Sequence, residues 1–460
     1  VTDLARLGAV VLAAGAGSRF GGGKLLALLD GRPILAHVLE AVRAAGVTDT
    51  VVVLGHEAAA IEAAIAWAAE RRVINEDPGA GLSSSLRIGF GALPADLDGA
   101  FVVLGDQPLV DRAVFRALAA AEIGGSIGYV VPRYVGGGGG NPVLVLRAGF
   151  ARIAEAHGDR GLGPILAAHP DAVAEVELGG SNPDVDTLAD LAELAWGDRV
   201  RRDRAQVDRI REVPDGADFY QPVTGLFRAD PRRTDEPLLD ALLALARPTD
   251  TWLDIGAGAG RYALPLALRV REVVAIEPSA GMRGVLVELA REHAIGNVRT
   301  INARWPAPAG SPADGLTGDV ALIAHLGYDI EAIGPFLDAM EAAATRDCAA
   351  VLMDRQPSSV ADPFWPPIHG EERVRLPALG AFVDLLRARG AAPTVARFSR
   401  PARVFASVDQ IQAFVRRQLW VAEGGAKDRQ LAAVLRASVE EVEGGWSLPG
   451  GPQELGLVAW

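Results

Sequence analysis

Two glycine-rich loops carry residues able to do chemistry. In VVLAAGAGSRFGGGKLL, residues 10–26, the small residues Ala13, Ala14, Gly15 and Gly17 are followed by Arg19 and Lys24. Without bulky side chains the backbone amides can approach a ligand closely, and the two bases can neutralise a triphosphate. In WLDIGAGAGRY, residues 252–262, Asp254 precedes Gly256, Gly258 and Gly260. Neither loop fits the common nucleotide patterns. The ATPase phosphate loop needs G-x-x-x-x-G-K-[ST]. Aligned on Gly23-Lys24, Ser18 stands at its first glycine and Leu25 at its magnesium-binding hydroxyl. The dinucleotide pattern G-x-G-x-x-G fails at Phe20 in the first loop; in the second, Gly260 arrives one residue early.

The elements around the loops must position them. Gly8 to Ala13 reads as a buried strand leading into the first loop. Helix-like and strand-like runs then alternate: Ile34 to Ala45 helical, Thr50 to Leu54 a strand, Ala58 to Ala69 helical, Ala100 to Leu104 a strand, Val110 to Ala121 helical. Tyr129 to Pro132 and Pro142 to Leu146 are further strands around GGGGG at 136–140. After Trp196 a charge-rich stretch reads as a helical connector. A second series follows it, with strands at Thr251 to Ile255, Glu272 to Ile276, Val298 to Ile301, Val320 to Ala324 and Ala349 to Met353. Such alternation predicts α/β architecture: two Rossmann-like three-layer domains, each with a mostly parallel sheet and ligands at the carboxyl ends of its strands. The expected division is 1–196, a linker at 197–215, and 216–460.

Composition narrows the class. The chain has 460 residues, 50% hydrophobic and 22% charged, which describes folded globular protein in two or three domains. A formal charge of −13 argues against a general nucleic-acid binder. The single cysteine, Cys348, supports neither a disulfide framework nor a cysteine zinc site, and fits a reducing cytoplasm. No apolar run approaches the ~20 residues of a membrane helix, and no signal peptide is visible.

Beyond the first loop, several motifs follow in order: VINEDPGAGLSSSLRIGFGAL at 73–93, FVVLGDQPLV at 101–110, GNPVLVLRAGF at 140–150, GDRGLGPILAAHP at 158–170 and DVDTLADL at 184–191. Together these resemble the MobA-like nucleotidyltransferases of molybdenum cofactor maturation, over about residues 7–195. The resemblance implies Lys24, Arg19 and Asp106 as catalytic residues and Ala13, Ala14, Gly15, Gly17, Gly81 and Ser85 as nucleotide contacts. Asp106 follows a buried strand and Asp186 lies in a second acidic turn. If the two converge they can hold Mg²⁺ against the phosphates. LAAG at 12–15 is similar to the cytidylyltransferase branch, implying CTP as the nucleoside triphosphate and molybdopterin as the acceptor, with a molybdoenzyme client downstream. Asn141 in GNP departs from the G-H-P frequent in that family, which leaves the acceptor more open than the transfer itself.

The second loop, D-x-G-x-G-x-G, resembles motif I of class I S-adenosylmethionine-dependent methyltransferases. AIEPSAGM at 275–282, NVRTINARWP at 297–306 and DVALIAHLGYD at 319–329 extend the likeness. The resemblance implies S-adenosyl-L-methionine bound by Asp254, Gly256, Gly258, Gly260, Glu277, Asn302 and His325. Glu277 would accept the ribose hydroxyls. No residue stands out as a methyl-transfer base. The sequence therefore reads as a bifunctional transferase. The competing readings are a molybdenum cofactor chaperone that senses nucleotide or methyl donor without turnover, and nucleotidyl transfer to a sugar phosphate or another small phosphate.

Overall fold

The computed structural model describes residues 3–122, 124–214, 224–225 and 227–460. The chain divides into two compact units, 1–191 and 192–460.

In the first unit the strands are β1 (Leu7–Ala13), the short hairpin β2 (Leu28–Leu29) and β3 (Arg32–Pro33), then β4 (Asp49–Leu54), β5 (Arg71–Ile74), β6 (Gly99–Leu104), β7 (Tyr129–Tyr134), β8 (Val143–Leu146) and β9 (Val173–Leu178). Seven of them form one sheet in the order β5-β4-β1-β6-β8-β7-β9. The β5, β4, β1 and β6 pairings are parallel; β8 runs against both β6 and β7. Every residue of β1 is buried, as expected for a central strand covered on both faces. Apolar clusters pack on each side of it: Val11, Leu35 and Phe115 in one, Val10, Leu86 and Ile153 in the other.

The second unit has β10 (Thr251–Ile255), β11 (Glu272–Ile276), β12 (Val298–Ile301), β13 (Gly318–Ala324), β14 (Ala344–Met353), β15 (Thr394–Arg400), β16 (Val404–Phe405), β17 (Glu440–Val442), β18 (Gly445–Ser447) and β19 (Gln453–Ala459). Its main sheet has the order β12-β11-β10-β13-β14-β19-β15. The first five are mutually parallel, and β19 runs antiparallel to β14 and β15. Both sheets carry helices on their faces, so each unit is a Rossmann-like α/β fold.

The stretch expected to be a helical connector is helix through Ile210. One helix runs Leu188–Ile210, and the division between units falls within it, after Leu191. Its charges mask an apolar stripe: Trp196, Val200 and Val207 recur at helical spacing and are buried in the second unit's clusters. Asp203 lies on the same stripe, and burial pushes its carboxyl up to about 6. The expected boundary at 215/216 lies outside the described residues. No helix among the described residues is long and apolar enough to cross a membrane.

Candidate functional site

The first loop leaves the carboxyl end of β1. Gly17 holds φ +55°, and Lys24 packs against it, so the chain doubles back and returns Lys24 to the sheet edge. There its Nζ lies 2.5 Å from Asp106 Oδ2 and 3.0 Å from Asp186 Oδ1. Arg19 Nη1 reaches Asp186 Oδ2 at 2.9 Å. Asp106 follows the carboxyl end of the neighbouring strand β6, where Gly105 N donates to Leu12 O at 3.0 Å. Asp186 arrives from the far end of the unit and is registered on it: Val185 N donates to Asp106 O at 3.1 Å. Residues 80 to 162 positions apart therefore meet at one cation.

The electrostatics follow from this meeting. Burial opposes the charge on Lys24, but Asp106 and then Asp186 outweigh it and hold its ammonium above the ordinary range. The Lys24 hydrogen bond holds Asp186 below the usual carboxylate range, against some burial, with Arg19 adding to the effect. Sequence reasoning passed over a third acid, Asp184. Its carboxyl is raised by burial, then by Asp106, and Gln107 Nε2 donates to its Oδ1 at 2.8 Å. The D-V-D alternation at 184–186 was the available signal, since residues two apart in an extended segment share a face. Gln107 also accepts from Asn182 Nδ2 at 3.1 Å, and Asn182 Nδ2 donates to Asn141 O at 3.1 Å. The structure thus joins the GDQP and GNP motifs through buried amides.

A cavity of about 240 Å³ opens at the ends of β1 and β6, lined in part by Leu12, Leu82, Leu104, Asn141 and Arg160. Gly81, at φ +96°, presses against Gly158. Ser85 is buried inside the helix Leu82–Gly91, and its Oγ accepts from Asn75 Nδ2 at 2.9 Å. Neither Gly81 nor Ser85 belongs to the Lys24 cluster. Ala13 and Ala14 are buried beneath the loop, while Gly15 has open space around it.

In the second unit the loop after β10 turns through left-handed backbone at Gly256, Gly258 and Gly260, with φ +74°, +55° and +84°. A side chain at Gly256 would strike Leu326, and one at Gly260 would strike Leu264 and Leu286; at Gly258 it would meet open space. Glu277, at the end of β11, grips this loop: its Oε2 accepts from Gly258 N at 2.9 Å and its Oε1 from Ser279 N at 2.7 Å. Asp254 is 1% exposed, and its Oδ1 is buried without a hydrogen-bond partner. Burial, then the nearby Glu277, push its carboxyl up to about 7. Asn302 lies beyond, its Oδ1 accepting from Arg283 Nη1 at 2.9 Å. His325 follows β13 with φ +55°, unusual for a non-glycine residue. Its Nε2 faces Tyr262 Oη at 3.5 Å, and its Nδ1 is buried without a partner. Burial, then Arg400, hold the ring's pKa down to about 3, so it is neutral. The acids and glycines thus gather at the ends of β10 and β11, with His325 beside them.

Among the described residues no group of three or more His, Cys, Asp or Glu side chains is arranged to hold a metal. Asp106 and Asp186 fit a shared ion as a pair: both aim an oxygen at one cation position, and carboxylate oxygens suit a hard divalent ion. The glycine loop after β10 has room for an adenosine-type ligand in its open cradle at Gly258 and beside the orphaned Asp254 oxygen.

Residues 9–173 match the family described as a MobA-like NTP transferase domain, so the first unit contains such a domain. Among curated proteins, the bifunctional protein GlmU of Leifsonia xyli subsp. xyli is 36% identical over 172 residues, covering 35% of each chain. GlmU of Paracidovorax citrulli is 38% identical over 130 residues, 27% of each. The chain spans about a third or less of the length of these curated relatives. Among solved structures, Rv0371c of Mycobacterium tuberculosis H37Rv is 33% identical; the match covers 40% of this chain and 94% of that one, with a TM-score of 0.37. Precorrin-6y C5,15-methyltransferase of Geobacter metallireducens GS-15 is 13% identical, covering 50% of this chain and 92% of that one, with a TM-score of 0.30.

Proposed function

We propose that the first unit transfers a nucleotidyl group from a nucleoside triphosphate to a phosphorylated acceptor. The observation that carries this reading is the convergence of Asp106 and Asp186 on Lys24, with Arg19 alongside, at the mouth of the glycine loop. Arg19 and Lys24 would engage the phosphates once the triphosphate draws them from the carboxylates. Asp106 and Asp186 would then hold Mg²⁺, which supplies charge stabilisation at the α-phosphate and the leaving pyrophosphate. An acceptor phosphate oxygen attacks the α-phosphorus; the α–β bridging bond breaks, and pyrophosphate leaves with the electron pair. An ionised acceptor needs no general base, so positioning and electrostatics carry the step.

CTP and molybdopterin remain our first reading of the substrates, on the LAAG and GDQP motifs. A sugar phosphate is the second, and the likeness to GlmU over 172 residues keeps the acceptor open between them. For the second unit we propose methyl transfer from S-adenosylmethionine, supported by the glycine cradle, Glu277 and the orphaned Asp254 oxygen at one sheet edge. Asp254 and Glu277 would face the donor's cationic end and ribose.

Thermal unfolding of the full chain tests both halves. CTP, GTP, ATP and UTP are each added with Mg²⁺, and S-adenosylmethionine separately. A ligand at 100 times its dissociation constant adds about 2.7 kcal/mol. A selective CTP shift leads to pyrophosphate-release assays with molybdopterin against sugar 1-phosphates. A GTP or ATP preference overturns the cytidylyl assignment, and binding of either ligand without turnover in the matching assay favours the sensing reading.

A further inference from the structure

At the carboxyl edge of the second sheet, Arg400 has no ion-pair partner among the described residues. β15 and β14 both run antiparallel to β19, so their carboxyl ends lie together: Arg400 pairs with Gln453, and Met353 with Leu455 two residues on. Arg400 therefore stands across β19 from the end of β14, the strand next to β13, whose end carries His325. Its Nη2 donates to Gln453 Oε1 at 2.7 Å and lies 4.0 Å from Met353 Sδ. Among the described residues these partners are neutral, and no carboxylate is within ion-pair distance of Arg400. Burial, then the neighbouring Arg261, depress its pKa.

Arg261 brings a second cation. It shares Glu236 with Arg233, at 2.8 Å and 2.6 Å, and its Nε is buried with no partner. Three guanidiniums thus face a single carboxylate. The groups around them, the Tyr262 hydroxyl and the neutral His325, add no negative charge. The opposite end of the cleft, at β10 and β11, holds the acids Asp254 and Glu277. Asp254 and Glu277 thus stand at the β10 and β11 ends and Arg400 at the β15 end, with Arg261 between them on the loop after β10.

We propose that Arg400, with Arg261, forms an anion subsite that holds a carboxylate or phosphate group of the methyl acceptor beside His325. This rests on the methyl-transfer reading of the second unit. An anion there would supply the acceptor that Arg400 and Arg261 Nε lack. Arg400 lies on the β15 side, away from the Glu277 end of the cleft, and Arg261 faces it from the residue after Gly260 in the glycine loop, so it is the Arg400 half of the subsite that is assigned to the acceptor.

The test is residue-resolved labelling of the full chain with phenylglyoxal, read by mass spectrometry. Arg397, exposed and 3.4 Å from Asp354, serves as the control. With S-adenosylhomocysteine saturating, inorganic phosphate or acetate at four times its dissociation constant should slow Arg400 labelling about fivefold and leave Arg397 unchanged. Arg400→Gln, checked for an unchanged melting curve, should leave S-adenosylhomocysteine affinity within about twofold by calorimetry, as expected for a group outside the donor's contacts. If S-adenosylhomocysteine alone protects Arg400 while 5′-methylthioadenosine does not, and phosphate adds nothing, the anion is the donor's carboxylate and the acceptor assignment falls. Protection by none of these ligands removes the subsite altogether. Absence of any calorimetric signal from S-adenosylhomocysteine defeats the methyl-donor reading itself, whatever Arg400 does.

Discussion

Lys24 Nζ lies 2.5 Å from Asp106 Oδ2, although the two residues come from separate crossovers of the first sheet. The same ammonium reaches Asp186, so one lysine ties the glycine loop, the β6 end and the distal acidic turn together. In the absence of a divalent ion, Lys24 balances both acids. That relationship separates the roles of the three residues. Asp106→Asn should lower nucleotidyl transfer by about 100- to 1,000-fold, the scale seen when one preorganised electrostatic contact is removed. It should leave the S-adenosylhomocysteine melting shift intact. Pyrophosphate release and thermal unfolding measure the two separately; retained transfer would end the metal role.

Lys24→Met leaves Asp106 and Asp186 facing each other without their shared cation, with only Arg19 still on Asp186. Both are partly solvated, so the expected loss is modest, about 1 kcal/mol without metal. Millimolar Mg²⁺ should restore more of that stability in the variant than it adds to the wild type. Equal Mg²⁺ effects in both proteins would show that the carboxylates do not share an ion.

Gly258 holds φ +55° in open space, unlike Gly256 and Gly260, whose missing side chains also avoid leucines. Gly258→Ala should therefore cost only about 1–2 kcal/mol of backbone strain. The added methyl would nevertheless fill the cradle, so S-adenosylhomocysteine affinity should drop at least about tenfold, the equivalent of 1.4 kcal/mol. A folded variant with wild-type affinity would move the donor site elsewhere.

Asp254 titrates near 7 in the folded chain because burial and Glu277 disfavour its charge. A raised carboxyl pKa means the folded state holds the proton more tightly. The resulting stabilisation is complete below the ordinary value of 3.8 and is lost as pH rises through about 7. Asp254→Asn should flatten this slope in unfolding curves between those limits. S-adenosylmethionine affinity in the wild type should climb with pH toward 7, by at most about tenfold per unit, and do so less in the variant.

Arg346 clamps Asp250 through two hydrogen bonds, at 2.7 and 2.9 Å, and Asp250 is 2% exposed. The Arg346 contact, against burial, lowers the Asp250 pKa to about 2. Its stabilisation is present above 3.8 and disappears as pH falls through about 2. Arg346→Met should cost about 3 kcal/mol at neutral pH by stranding a buried carboxylate. Denaturant unfolding at pH 7 measures it; a change below 0.5 kcal/mol, the scale of an ordinary surface substitution, would show the pair to be incidental.

Local patterns made much of the fold legible. Thr251–Ile255, Glu272–Ile276 and Val298–Ile301 form strands at the expected residues, because a short apolar, β-branched run bounded by turn residues has few other stable states. The helix Ile34–Ala45 is equally plain from its periodicity. The antiparallel strand β19 and its partner β15 escaped, since their pairing depends on a segment some fifty residues away in sequence. The sequence reads 197–215 as a helical connector; that its sparse apolar stripe packs on the second unit is visible only in the structure, since packing alone reveals which face of the helix Leu188–Ile210 is covered.

By itself, then, the sequence determined the types of the central strands and their flanking helices, the two glycine loops and the chemical character of Arg19, Lys24, Asp106, Asp254 and Glu277. These depend on neighbours a few positions away. Tertiary structure alone decided that Asp186 meets Lys24, that Asp184 is held by Gln107, and that Arg400, with no ion-paired carboxylate among the described residues, is near enough for its charge to act on His325. Those relations are set by which strands lie side by side and where their carboxyl ends fall. Hydrophobic periodicity carries no record of that order, because any buried strand satisfies the same pattern.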